Sequence, residues 1–114
     1  MERNANPDFP YIFESLKEAL IALAKKSLKE FAGEAADDTI AFLNHSKEKL
    51  ERWTLLLQEG RITAEDFGWL LESQKDLVIL EALKRTGISA IRLDEFKQKV
   101  LETIIGKTFA LLGI

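Results

Sequence analysis

The stretch Leu57–Phe67, LQEGRITAEDF, contains the end of one helix and the start of another. Gly60 supplies the left-handed residue that commonly follows a helix C-terminus. Thr63 is a good N-cap, and Asp66 stands three residues later, where an acidic side chain can accept a hydrogen bond from the cap amide. A connection this short favours two neighbouring antiparallel helices. We therefore predict an αα-hairpin with its turn near 59–63.

Upstream of this turn, apolar residues recur every three or four positions from residue 9 onward, which is the pattern of a long amphipathic helix. Gly33 and the pair Asp37–Asp38 interrupt the pattern chemically, because glycine is a poor helix former. Two interpretations stay open. One is a single bent helix over 9–59, roughly 75 Å long at 1.5 Å per residue. The other is a break or kink near 33–38, which we favour.

Downstream, the same periodicity predicts a helix over about 64–85 and a last helix that starts near Leu93 and runs almost to residue 114. The apolar run at 77–80 would cover every side of one helical turn, which is typical of a bundle centre or a subunit contact. Segment 87–93 fits either an extended link or the first turn of the last helix. The chain is therefore predicted to be all-α, with three to four helices around the hairpin.

The composition agrees with this fold class. Ala, Glu, Lys, Leu and Arg make up 59 of 114 residues, and Leu outnumbers Val by 18 to 2, which disfavours a β-sheet. Residues 1–8 are polar and contain a proline, so we expect a disordered or extended tail there and one helical domain over 9–114. Since no apolar run reaches about 18 residues, we expect a soluble, cytoplasmic protein.

Several function classes conflict with the composition. The chain has no Cys and one histidine, His45, which argues against zinc sites, thiol catalysis and a multi-histidine metal centre. The net charge of −3, without a strongly basic segment, argues against nucleic-acid binding. Gly106, Lys107 and Thr108 resemble the end of a P-loop, but Leu101 stands where that motif needs glycine. We interpret Gly106 as a point of close helix approach, and predict no cofactor, metal or catalytic residue.

We expect a non-catalytic helical interaction or assembly module. A long N-terminal helix together with the apolar run at 77–80 presents more apolar surface than helices of this length can cover, and such a surface normally marks an interface. A homodimer is the simplest way to cover it, and another helical protein is the other candidate partner. The alternative is a binder of an apolar ligand or a membrane surface through the N-terminal helix, and a metalloprotein or enzyme is less favoured. The interface candidates are Phe13, Leu16, Leu20, Leu23, Trp69 and Ile79.

Overall fold

The computed structural model describes residues 8–114, so the predicted tail lies, apart from Asp8, outside the described residues. The described part contains six α-helices: α1 (Phe9–Ser27), α2 (Ala32–His45), α3 (Lys47–Gln58), α4 (Ala64–Glu72), α5 (Glu81–Lys84) and α6 (Ala90–Leu112). Two short 3-10 turns lie between helices, at Lys29–Phe31 and Lys75–Leu77, and no described residue is in a strand. The prediction of an all-α protein is confirmed, with six helices in place of three or four.

The helix α1 lies at the centre of the fold, because its apolar face is covered by α2 and α6, the two helices that it contacts most extensively. Its buried residues recur at helical spacing and are Ile12, Phe13, Leu16, Leu20 and Ala24. The core continues into the other helices through Leu43, Phe67, Leu83, Phe96 and Ile104. Burying one Leu or Phe side chain contributes roughly 1.5–3 kcal/mol relative to exposure, so these contacts dominate the stability of the domain.

The N-terminal helix breaks at Leu28, which corrects the kink predicted near 33–38. Leu28 leaves the helical conformation with φ −133° and ψ 62°, and a 3-10 turn follows before α2 begins. The chain then returns along α1, since the Lys47 ammonium lies 5.1 Å from the centre of the Phe13 ring. Leu28 itself is only 3% exposed, so the break inserts an apolar side chain into the core.

The alternative of one helix over 9–59 is also wrong. The longest dimension of the molecule is 52 Å, which is shorter than the roughly 75 Å that such a helix needs. A second interruption lies at Ser46, the single residue between α2 and α3. Hydrogen bonds continue across it, from the Ser46 amide to the Phe42 carbonyl and from the Leu50 amide to the Ser46 carbonyl, both at 2.9 Å. The two helices are therefore close to continuous there.

The helix α3 ends in a Schellman motif built on Gly60. This glycine has a φ of +72°, in the left-handed region. Its amide donates to the Leu57 carbonyl at 3.1 Å, and the Arg61 amide donates to the Leu56 carbonyl at 2.9 Å. These bonds satisfy carbonyls that the end of a helix leaves free, and the left-handed residue they require explains why glycine stands at this position.

The helix α4 starts with a capping box. The Thr63 hydroxyl accepts a hydrogen bond from the Asp66 amide at 3.0 Å, and the Asp66 carboxylate accepts one from the Thr63 amide at 3.0 Å. The two reciprocal bonds satisfy amides that have no partner within the helix. The connection between α3 and α4 thus occupies residues 59–63, while the antiparallel packing of the two helices stays a prediction.

The helix predicted over 64–85 is wrong beyond Glu72, where α4 ends. Leu77 ends the second 3-10 turn, residues 78–80 lie outside every helix, and the exposure of these four residues alternates. Leu77 and Ile79 are 40% and 53% exposed, whereas the residue that follows each of them is fully buried. A period of two is that of an extended chain, so the apolar run covers two sides of an extended segment and not every side of a helical turn.

The segment 87–93 is divided between a link and a helix. The helix α6 starts at Ala90, and the Ser89 hydroxyl caps it by accepting a hydrogen bond from the Arg92 amide at 3.2 Å. Within this helix, Gly106 does not mark a close helix approach, because no neighbouring heavy atom lies within 4 Å of a Cβ placed there. The earlier interpretation of this glycine is therefore wrong.

Gly60→Ala is expected to lower the free energy of unfolding by about 1 kcal/mol, because a Cβ is strained at positive φ. No neighbouring atom would contact a Cβ at either Gly60 or Gly106, so a steric clash cannot cause a difference in stability between the two variants. Gly106→Ala is the matched control and is expected to raise the free energy of unfolding by about 0.5–1 kcal/mol, since alanine is the better helix former. Urea unfolding followed by circular dichroism measures both. Changes of the same sign would contradict the assigned turn geometry.

Candidate functional site

A buried aspartate joins α5 to α2. Asp38 is 7% exposed, and its two carboxylate oxygens accept hydrogen bonds from the Ala82 amide at 3.1 Å and the Leu83 amide at 2.9 Å. Amides in the first turn of a helix lack intrahelical acceptors, and a carboxylate supplies both the acceptors and a favourable charge. The helix α5 is thus capped by a residue 44 positions earlier in the chain. Its own N-cap residue, Leu80, makes no side-chain cap bond.

The same side of α2 continues into an apolar recess. Residues three, four and seven positions after Asp38 share its side of the helix. Together with two residues of the extended segment they line a cavity of about 260 Å³: Ala41, Phe42, His45, Leu77 and Ile79. We call these five residues the apolar groove. Its position follows from the Asp38 bonds, which hold the chain after Leu80 against α2.

The apolar groove is lined mainly by apolar side chains. His45 is the one polar side chain among its lining residues. No carboxylate is among the lining residues of the groove. Across residues 8–114, no three His, Cys, Asp or Glu side chains come together as a group that could hold a metal ion.

Four of the predicted interface residues lie in the chain's own interior. Phe13, Leu16 and Leu20 are at most 4% exposed, and Leu23 is partly buried against the same core. Their selection assumed a long helix whose apolar face lacked cover. The break at Leu28 removes that premise, because it lets α2 fold back over α1.

The other two predicted interface residues face outward and lie on different surfaces. Ile79 is 53% exposed and borders the apolar groove, and Trp69 is 73% exposed on α4. Phe42 and His45 were missed as residues of this surface, and Leu77 was noted only as part of the apolar run at 77–80. The adjacent β-branched residues Val78 and Ile79 favour extended structure, but a run of four residues is too short to distinguish it from a helical turn.

A second depression, of about 510 Å³, lies where α5 meets the start of α2. It is lined by Glu30, Phe31, Glu34, Ala82, Arg85 and Thr86. Beside it, the Arg92 guanidinium donates two hydrogen bonds to the Glu30 carboxylate, at 3.2 and 3.3 Å. These bonds hold the pKa of Glu30 below its ordinary value. The Arg92–Glu30 pair is exposed, and exposed ion pairs contribute little to stability. It therefore fixes the shape of this depression less firmly than the buried Asp38 bonds fix that of the apolar groove.

Two further observations concern the P-loop resemblance and the membrane alternative. Gly106, Lys107 and Thr108 lie inside α6, where Thr108 is fully buried, so they do not form a phosphate-binding loop. Among residues 8–114, every helix is too short or too polar to cross a lipid bilayer. The apolar face of α1, which was the proposed surface for a ligand or a membrane, is covered by α2 and α6.

The chain was also compared with known proteins. No protein-family model matches it, no curated protein matches it, and no solved structure matches it. The apolar groove and the exposed face around Trp69 are therefore the features from which a function can be inferred.

Asp38→Ala is expected to lower the free energy of unfolding by about 2–3 kcal/mol, because it removes two hydrogen bonds to a charged acceptor. Asp37→Ala is the matched control. Asp37 is exposed and has no hydrogen bond in the described part of the chain, so its loss is expected to change stability by less than about 0.5 kcal/mol. Urea unfolding measures both, and amide hydrogen exchange at Ala82 and Leu83 reports the cap directly. Similar effects from the two changes would refute the role of Asp38.

Proposed function

We propose that this protein is a non-catalytic helical interaction module that pairs with a second copy of itself through the apolar groove. The observation that carries the proposal is the exposure of Leu77 and Ile79 beside a recess floored by Phe42. A two-fold contact uses the same patch on both subunits, so the patch must present both a projecting side chain and a place to receive it. The apolar groove has both elements within five residues.

Preorganisation supports this proposal. The residues after Leu77 and Ile79, Val78 and Leu80, are fully buried and anchor the extended segment on both sides of Ile79. The Asp38 bonds to α5 hold the next residues of the chain. A surface that is already ordered loses little conformational entropy on binding, and this raises affinity for a given contact area.

The size of the groove predicts a weak dimer. The accessible surface of the chain is 6603 Å², close to the roughly 6,300 Å² expected for a folded monomer of its 12.9 kDa mass. The chain therefore does not need a partner in order to cover its core, in contrast to the argument drawn from a long N-terminal helix. A contact centred on two exposed side chains falls at the small end of specific interfaces, below about 1,200 Å² in total.

The proposal retains the predicted hairpin. We propose that α3 and α4 pack antiparallel around residues 59–63. The Schellman motif at Gly60 and the capping box at Thr63 support it, because they limit the connection to residues 59–63, and a connection this short is typical of antiparallel neighbouring helices. This arrangement is compatible with an interface at the apolar groove, to which neither helix contributes a lining residue.

Ile79→Glu is expected to abolish pairing, because it places a charge at the centre of an apolar contact. Ile91→Glu is the matched control, since Ile91 is 74% exposed and does not line the groove. Sedimentation velocity at about 100 µM, well above a micromolar dissociation constant, should show dimers of the unmodified chain and of Ile91→Glu but monomers of Ile79→Glu. Circular dichroism checks that both variants are folded. A monomeric unmodified chain at this concentration would disprove the proposed pairing.

A further inference from the structure

The most exposed aromatic side chain of the described part is that of Trp69, at 73%. It projects from the middle of α4, whose opposite side is anchored in the core by the buried residues Phe67 and Leu71. Tryptophan in this position does not contribute to the packing of the domain. Exposed tryptophan is costly in water and is enriched in the cores of protein interfaces.

The helix that carries Trp69 is acidic. From Ile62 to Gln74 the chain has three acidic residues and no lysine or arginine. Two of them have a structural explanation, because Glu65 and Asp66 lie in the first turn of α4, where negative charge is favourable, and Asp66 completes the capping box. The third acidic residue, Glu72, has no such explanation.

Glu72 is the last residue of α4, where the helix dipole disfavours negative charge. The Gln98 side-chain amide donates to both Glu72 carboxylate oxygens, at 3.0 and 3.3 Å, and to the Glu102 carboxylate at 3.2 Å. The two carboxylates are therefore held close together by one neutral amide, and like charges repel. Within residues 8–114, neither carboxylate has a lysine or arginine nitrogen within 4 Å, although Lys99 lies one turn before Glu102.

We propose that Trp69, Glu72 and Glu102 form a docking surface for a basic segment of a partner protein, which we call the Trp69 face. Trp69 and Glu72 are three residues apart on a helix and so lie side by side on its surface. An arginine of the partner stacks on the indole ring and places its guanidinium between the two carboxylates. Arginine suits this surface because its planar cation stacks on aromatic rings and bonds carboxylates through parallel N–H groups.

Charge complementarity decides the occupant. A membrane surface carries net negative charge and would be repelled by the two carboxylates, and an anionic ligand would be repelled in the same way. A cation between them relieves the repulsion that the isolated chain retains. The Trp69 face lies on α4 and α6, whereas the apolar groove lies on α2 and the segment after α4, so this inference does not depend on the proposed self-pairing.

The test is a titration of the full chain, labelled with ¹⁵N at its two tryptophans, with a peptide of alternating arginine and alanine. Trp69→Phe assigns the two indole resonances, and the exposure of Trp69 means that this change leaves the core intact. We expect saturable shifts of the Trp69 indole resonance at about 0.02 M ionic strength, a weaker effect when salt is added, and little change at Trp53. The same peptide with citrulline in place of arginine, which keeps the shape and removes the charge, is expected to give no saturable shift.

The double variant Glu72→Gln with Glu102→Gln is expected to weaken arginine-peptide binding at least about tenfold. The control is Glu18→Gln with Glu59→Gln, which makes the same change in net charge at two exposed residues away from the Trp69 face, and it should change binding less than about twofold. Equal binding of the citrulline peptide, equal effects of the two double variants, or equal shifts at both tryptophans would overturn the proposal. Movement of the Trp69 resonance on dilution without peptide would identify a second copy as the occupant and would also overturn it.

Discussion

The hydrogen bonds from the Ala82 and Leu83 amides to the Asp38 carboxylate are the constraint on which the exposed surface of this fold depends. The helix α5 has four residues, far fewer than an isolated helix needs in water. It persists because a buried carboxylate on α2 caps it and Leu83 enters the core. Without that anchor the preceding extended segment would have no defined position on α2, and the apolar groove would not exist as a fixed shape.

Features that depend on neighbouring residues were predictable from the sequence, and features that depend on distant ones were not. The end of α3 and the start of α4 follow from Gly60 and Thr63, whose effects act within a few residues. The break at Leu28 has no local cause, since this residue continues the apolar pattern of α1 and no proline or glycine adjoins it. The helix ends at Leu28 because folding α2 back over α1 contributes more stability, through buried apolar surface, than one additional helical turn would.

The candidate site was predicted only in part for the same reason. Over four residues, a run of Leu, Val, Ile and Leu fits a helical turn and an extended segment equally well. Ile79 was identified, but three of its four neighbours in the groove come from α2, more than thirty positions earlier in the chain. The sequence shows an aspartate at position 38, but the partners of its carboxylate are backbone amides. Because every residue except proline has such an amide, the sequence pattern does not indicate which ones bond to Asp38.

The two proposed surfaces differ in their physical basis, and salt separates them. Four of the five residues that line the apolar groove are apolar, so the proposed contact there rests on burial of apolar surface. The Trp69 face rests on two carboxylates and an aromatic ring, whose attraction for a cation is screened within about 8–10 Å at moderate ionic strength. Sulfate strengthens apolar association and weakens ion pairing at the same time. If both proposals hold, the ionic conditions would therefore set attachment to a basic partner at the Trp69 face independently of pairing between two copies at the apolar groove.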